Sequence, residues 1–437
     1  MGYLSSNVLY ARRVARGRPI RLVLIILSLV LLIDTIWVQR NIAVRDLRPR
    51  AFDTPRKHER VYIAALHWNS AYLIYMQWKD SVLALADALG HENVFVSIYE
   101  SGSWDETKDM LGWLDSELAS RGVPRHIAMD NVTHEELLEN APGEGEPLTE
   151  GWIKTSRSPA ELRRIPYLAK LRNKTLRDLW DMADKGITFD KVVFLNDVYF
   201  SVWHIFAVVD LFCANLYQAE DVLTLLDTNR GVYAAACSLD FSDPPQFYDT
   251  FALRDSEGDP HLTMTWPYFR SPRSRKALVE HSPAVPVQSC WNGIVAMPAA
   301  PFSSSNQHER LKFRGISDSL AGHHLEGSEC CLIHVDNPLT QDLGIFLNPR
   351  VRVGYNPKAY EATHPGPGSS WVSIWGILRG RLVNYIRGLS STSSLDDKVV
   401  NGRMALWEAE SKTNHEPGRI CLIDETQVIA WNGWNHV

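Results

Sequence analysis

Two short runs constrain the fold more than anything else in the chain: Lys191-Val-Val-Phe-Leu195 and Gly231-Val-Tyr-Ala-Ala-Ala-Cys237. Each is apolar at successive positions, so both of its faces are buried, which suits a strand in a sheet covered by helices on both sides. Val61-Tyr-Ile-Ala-Ala-Leu66 and Asn93-Val-Phe-Val-Ser-Ile-Tyr99 read in the same way. Helical periodicity follows each of them, over Ala71 to Leu89, closed by Gly90, and over Trp104 to Arg121. Arg125 to Met129 reads as a third short strand, and Pro166 to Lys185 as a helix whose basic residues form a solvated face. The alternation predicts an α/β fold, a mostly parallel sheet flanked by helices.

Ligands of such sheets sit beyond the carboxyl ends of the strands. The first run stops at Asn196-Asp197 and the second at Ser238-Leu239-Asp240, so both point acidic groups at a site. No Gly-x-Gly-x-x-Gly follows a strand and no P-loop pattern is present, which demotes dinucleotide and P-loop readings. Asp197 is the natural ligand for a divalent metal that neutralises a departing diphosphate, with Asn196 offering a neutral oxygen beside it. Asp240, Asp249 and Asp255 are candidates for gripping sugar hydroxyls, and Arg254 for a phosphate or for Asp255. In Gln288-Ser-Cys-Trp-Asn-Gly293, Trp291 can stack on a sugar or base, Asn292 can hydrogen-bond, and Gly293 permits close approach. Cys331 to Val335 reads as a strand, which would put His334 and Asp336 on one side as further metal ligands, with Glu329 at its entry.

Ahead of this domain the chain carries an address. Arg12, Arg13, Arg16, Arg18 and Arg21 lead into an apolar run from Leu22 to Ile33, which Asp34 and Thr35 interrupt before Ile36, Trp37 and Val38 resume it. Seventeen residues make roughly 25 Å of helix, at the short end for a bilayer span. No Ala-x-Ala cleavage site follows, so an uncleaved signal anchor is expected over 22–38, after a cytoplasmic tail of 1–21 and before a turn-rich stem of 39–58. Residues 59–437 then form a lumenal domain in a type II Golgi or ER membrane protein. Asn131-Val-Thr133 and Asn173-Lys-Thr175 are glycosylation sequons, and all six cysteines follow the span, where disulfides are permitted. With 45 Lys+Arg against 51 Asp+Glu the net charge is −6, which excludes a general nucleic-acid partner.

Several blocks then occur in order: Phe194-Leu-Asn-Asp-Val198, Ala236-Cys-Ser-Leu-Asp-Phe241, Phe247-Tyr-Asp-Thr250, Leu253-Arg-Asp255, Ser289-Cys-Trp-Asn-Gly293, Glu329-Cys-Cys-Leu-Ile-His334, His415-Glu-Pro-Gly-Arg419 and Gln427-Val428. Together they resemble the fungal cryptococcal mannosyltransferase and capsule-associated protein family, glycosyltransferase family 69. The resemblance spans Tyr62 to Val428. It implies a GT-A-like (Rossmann-like) domain that moves mannose from GDP-mannose to the 3-hydroxyl of an α-mannoside or polysaccharide acceptor, retaining configuration, with Mn²⁺ or Mg²⁺. Asp197, Asp240 and Glu329 are the expected catalytic residues. Asn196, Asp249, Arg254, Asp255, Trp291, Asn292 and Gly293 are expected to bind substrate, and Asp197, His334 and Asp336 to hold metal. Two other classes compete: a Golgi glycan-binding or export partner without turnover, and a hydrolase using paired carboxylates. Loss of function on mutating Asp197 separates the enzyme from the first.

Overall fold

The computed structural model describes residues 3–47, 59–143, 145–200, 221–304, 306, 309–366, 368–389 and 395–437. The chain opens with helix α1 (Tyr3–Leu47) and then strand β1 (Val61–His67). Helix α2 (Lys79–Leu89), β2 (Val94–Glu100), α3 (Thr107–Ser120) and β3 (Arg125–Met129) follow. Next come α4 (Arg164–Lys174), β4 (Lys191–Leu195), β5 (Ala235–Asp243), β6 (Val285–Ser289) and β7 (Ile294–Pro298). Helix α5 (Glu329–Asp336), β8 (Ile345–Gly354), α6 (Ile374–Leu389) and α7 (Leu395–Glu410) complete the main frame.

These strands build one ten-stranded sheet in the order β3-β2-β1-β4-β7-β5-β8-β6, with Arg254–Asp255 on the β6 edge and Gln246–Phe247 beside β5. The first half, β3-β2-β1-β4, is entirely parallel, and β5 and β8 also pair in parallel. Strand β7 lies antiparallel between β4 and β5, and β6 runs antiparallel to β8. The α/β expectation therefore holds, as a mixed sheet with helices on its faces. Every residue of β4 is buried, which is why its sequence does not alternate. Two apolar cores flank the sheet: Val193 and Leu195 of β4 point into one, Val192 and Phe194 into the other.

Because β7 is reversed, its start meets the ends of its neighbours: Ile294 pairs with Leu195, and the Asn196 amide donates to the Gly293 carbonyl at 3.0 Å. Strand β5 begins four residues later than expected and runs on to Asp243, so Asp240 pairs with Val353 inside the sheet rather than standing past its end.

Three expectations need correction here. The predicted Cys331–Val335 strand is part of helix α5; a short apolar run does not distinguish a buried strand from a buried helix, and the Ser328 side chain settles it by accepting from the Cys330 amide at 3.2 Å as an N-cap. The stem expected over 39–58 begins instead as a continuation of α1 to Leu47, with Val38, Ile42 and Ala43 buried against the domain; its later part, 48–58, lies outside the described residues. The Asn173 sequon is closed, since its side-chain amide exchanges two hydrogen bonds with the Phe313 backbone, at 2.8 and 2.9 Å, whereas Asn131 is exposed.

Cysteines pair as Cys237–Cys290 and Cys331–Cys421; Cys330 is a buried free thiol, and Cys213 lies outside the described residues. The second bridge spans 90 residues and ties α5 to the C-terminal segment, whose Leu422–Ile423 strand pairs with Glu326–Gly327. A loop that long costs much entropy to close, so Cys331→Ser with Cys421→Ser is expected to lower stability by about 2–4 kcal/mol. Thermal melts of the oxidised double variant against the parent check this; an unchanged midpoint would show that the bridge constrains little.

Candidate active site

The reversal of β7 brings four pieces of chain to one edge of the sheet: the Asn196-Asp197 turn after β4, the last half of β5, the Trp291–Gly293 turn before β7, and the end of β8 with Tyr355. Asn196, Trp291 and Asn292 hold the turn together. The Trp291 indole donates to Asn196 Oδ1 at 3.2 Å, and Asn292 Nδ2 donates to Asp240 Oδ1 at 2.8 Å and to the Asp249 carbonyl at 3.1 Å. Gly293 sits at φ +88°, and a Cβ there would lie 2.3 Å from Val353 Cγ2, so no other residue fits.

The carboxylates differ in their commitments. Asp240 accepts from Asn292, from the Asp249 amide at 3.2 Å and from the Tyr355 hydroxyl at 3.2 Å. Burial, reinforced by the neighbouring Asp249, pushes its pKa up to about 7. Asp249 accepts from the Phe251 and Ala252 amides at 3.0 and 3.1 Å and is raised too, first by burial, with Glu329 adding to it. Asp197 is reached by solvent, yet the protein packed around it desolvates its carboxyl and pushes its pKa to about 6, against the pull of Arg172. Among the described residues no other side chain hydrogen-bonds to the Asp197 carboxylate. Glu329 stands at the first turn of α5, 3.0 Å from Arg172 Nε.

Arg172 is one of two residues of this group, with Tyr355, that sequence reasoning missed. The helix read as a solvated basic face instead turns this guanidinium inward, 4.7 Å from the Trp291 ring centre. Burial alone would lower its pKa, but Cys330 and Glu329 outweigh that, so it stays charged amid Asp197, Asp249 and Glu329. Nothing in its local sequence distinguishes it from Lys170 or Arg177. Tyr355 was missed because β8 was not read as a strand; reading it would have placed Tyr355 at the same edge. Tyr248, half exposed, lies 4.4 Å from the Tyr355 ring at the rim.

Other expected site residues lie elsewhere. Arg254 is buried and donates to the carbonyls of Ile420, Phe251 and Leu253, so it ties the C-terminal segment down and faces no phosphate. Asp255 is buried as a loop organiser, accepting from the Glu257, Asp259 and Ser271 amides. With α5 a helix, the same-side argument for His334 and Asp336 as metal ligands lapses. His334 Nε2 is bonded to the Cys290 carbonyl at 2.7 Å, and burial lowers its pKa to about 4. Its closest ligand-type neighbours, Cys237 and Cys290, have both sulfurs in a disulfide, so that trio does not suit a metal. Asp336 is gripped by Arg314 at 2.6 and 3.0 Å and lines a shallow depression with Pro301 and Ser304. Those residues follow β7, beyond the amino end of β4, on the opposite edge from Asp197.

Within the group that remains, the chemistry of the donors fits a hard divalent cation. Asp197 offers free carboxylate oxygens at a solvent-reached strand end, and the desolvation that raises its pKa is offset by added positive charge.

A family model described as cryptococcal mannosyltransferase 1 matches residues 60–219 and 211–336, which carry β1 to α5 and all of this group except Tyr355 and the end of β8. The chain belongs to the cryptococcal mannosyltransferase 1 family. It is thus a member of a glycosyltransferase family, and the mixed α/β sheet accords with the GT-A-like domain that the sequence resemblance implied. No curated protein matches the chain. Loose likenesses to solved structures include the mannosyltransferase PcManGT from Pyrobaculum calidifontis in complex with GDP-Man and Mn²⁺, at 11% identity over 89% of each chain and a TM-score of 0.31. TarS 1–349 from S. aureus in complex with UDP shows 10% identity over 81% of this chain and 73% of its own, with a TM-score of 0.32. GalNAc-T7 with UDP, GalNAc and Mn²⁺ shows 11% identity over 82% of this chain and 52% of its own, with a TM-score of 0.34.

Proposed function

We propose that this protein transfers mannose from GDP-mannose to the 3-hydroxyl of an α-mannoside with retention, as a Golgi or ER type II membrane enzyme with its domain in the lumen. The observation that carries the reading is the free Asp197 carboxylate beyond the end of β4, beside a charged Arg172 and a group of buried acids, in a chain of a mannosyltransferase family. Mn²⁺ or Mg²⁺ held by Asp197 would supply Lewis-acid charge to the departing diphosphate.

The remaining residues have roles that follow from their contacts. Arg172 adds fixed positive charge close to where the diphosphate charge develops, and its ion pair with Glu329 and its stacking on Trp291 hold it there. Asp240, raised to about 7, shares a proton near neutrality and so can donate as well as accept hydrogen bonds to mannosyl hydroxyls, and Asp249, raised as well, stands beside it as a further partner for them. The acceptor hydroxyl attacks from the face the GDP leaves, and its proton passes to the departing phosphate oxygen. A double displacement through Glu329 is the second reading; its carboxylate is engaged by Arg172 and by the Cys330 thiol at 3.3 Å, which favours the single-face route.

The full chain in detergent, offered a panel of nucleotide sugars with Mn²⁺ and an α-mannoside acceptor, tests the reading. GDP release coupled to an EDTA-sensitive mannosylated product is expected. Turnover of another nucleotide sugar would replace the donor, and folded protein inert towards every donor would move the reading to a glycan-binding or export partner.

The raised acids also set a pH dependence of stability. An acid with a raised folded pKa binds its proton more tightly in the folded chain. Its contribution is therefore complete below the unfolded value near 4 and is lost as pH rises through about 7. Asp240→Asn removes that loss, so the variant should melt above the parent at pH 8 and no higher than it at pH 4. Equal midpoints at pH 8 would show that Asp240 carries no raised pKa.

A further inference from the structure

The exposed face of α6 is apolar, although α6 belongs to a domain that is otherwise closed. At 100° per residue, Trp375, Leu378, Leu382, Tyr385 and Ile386 fall within an arc of about 100°. Four of them are strongly exposed, Trp375 at 78%. The opposite face is packed: Ile377 and Asn384 are buried, and a Cβ on Gly380 would meet the Trp266 carbonyl at 1.8 Å. The stripe itself is apolar, and among the described residues only the opposite side packs on the domain.

Its neighbour shows what covers the other side. From Ile20 to Ile33 every side chain of α1 is exposed, and the segment Ile20–Asp46 has the length and composition to cross a bilayer. From Thr35 onward α1 docks on the domain through Thr35, Val38 and Ile42, three positions on one helical face. The junction between these regimes is where α6 lies. Arg381 pairs with Asp34, the last residue before buried Thr35, and Gln39 Nε2 donates to the Val372 carbonyl at 3.5 Å. The Trp and Tyr of the stripe suit the headgroup boundary, and the exposed Arg379 beside it suits anionic headgroups.

We infer that α6 lies in the interface of the same membrane that α1 crosses, its Trp375–Ile386 stripe in the lipid, so that the domain is held against the bilayer at two points in a fixed orientation. The inference rests on reading α1 as a membrane span. The rigid passage of α1 into the domain leaves no slack at this end for the domain to turn away, so the site keeps one pose towards acceptors at the membrane surface.

Site-directed spin labelling of the full chain in phosphatidylcholine–phosphatidylserine vesicles tests this. In a Cys213→Ser background, nitroxides are placed at Leu382→Cys, Ile386→Cys, Leu29→Cys on α1 and Lys412→Cys on an exposed loop. Collision with oxygen is compared with collision with a water-soluble nickel chelate. The Leu382 and Ile386 labels are expected to favour oxygen several-fold over the loop label, as the Leu29 label does. A lipid-exposed Leu29 label with water-exposed labels on α6 would overturn the inference and leave the span intact. Shielding of the α6 labels from both reagents, with spin–spin broadening, would overturn it in favour of a second copy on this face. A water-exposed Leu29 label would remove the span itself and the inference with it.

Discussion

Asp197→Asn is expected to abolish mannosyl transfer, by roughly 10³-fold, about 4 kcal/mol of barrier, without loss of thermal stability. The two halves of that statement come from one feature of the site. The carboxylate is reached by solvent, accepts no hydrogen bond from another side chain among the described residues, and is desolvated enough for its pKa to rise to about 6. Removing its charge therefore relieves a desolvation that outweighs the pull of Arg172, and costs the fold nothing. Transfer as proposed above, by contrast, would need negative charge at this strand end to hold a cation against the diphosphate. Asparagine keeps the shape and removes that charge. Product formation from GDP-mannose, measured beside a melting curve, checks both halves. Full transfer by the variant would end the assignment of Asp197, and a collapsed midpoint would make its role structural.

The largest effect on stability is expected at Arg163, which lies outside the candidate site. Its side chain is fully buried and forks onto Glu326, also fully buried, at 2.6 and 3.3 Å, while Nη1 reaches Asp318 at 2.7 Å and the Ile316 carbonyl at 2.9 Å. The pair joins the start of α4 to the Glu326–Gly327 strand that leads into α5, and so fixes Arg172 and Glu329 relative to one another. Arg163→Met leaves the Glu326 carboxylate buried without its partner, a loss of about 3–5 kcal/mol. For a domain of this size the melting midpoint should fall by roughly 4–6 °C. Arg163→Met with Glu326→Gln should recover part of that, because the stranded charge is gone. A midpoint within about 1 °C of the parent, on the order of 1 kcal/mol or less, would show that the buried pair does not stabilise the fold.

The two effects sit on different links of one chain of causes. Asp197 was legible because a strand apolar on both faces that ends in an acid places that acid at a ligand edge. Glu329, Asp240, Asp249, Trp291, Asn292 and Gly293 were legible as members of ordered blocks, and the structure brings them to the same edge. Arg254, Asp255, His334 and Asp336 came from the same blocks yet serve the interior or the far edge. A motif records that a residue is fixed by its surroundings; it does not say whether a ligand or a backbone amide does the fixing. Arg163 and Arg172 showed nothing in sequence because neither has a local signature; each is defined by a carboxylate more than 150 residues away.

By itself the sequence determined the alternation of buried strands and amphipathic helices, the acid at the end of β4 and the apolar N-terminal segment, because these depend on periodicity and on neighbours along the chain. Tertiary structure alone decided that β7 runs backwards between β4 and β5 and gathers Asp197, Asp240 and Trp291 at one edge. It also decided that the apolar run after Ser328 coils as α5, with Glu329 at the site and Asp336 at the other end. The physical reason is range: hydrophobic periodicity is written within a few residues, whereas sheet order, buried ion pairs and disulfides such as Cys331–Cys421 are settled by packing between segments far apart in the chain.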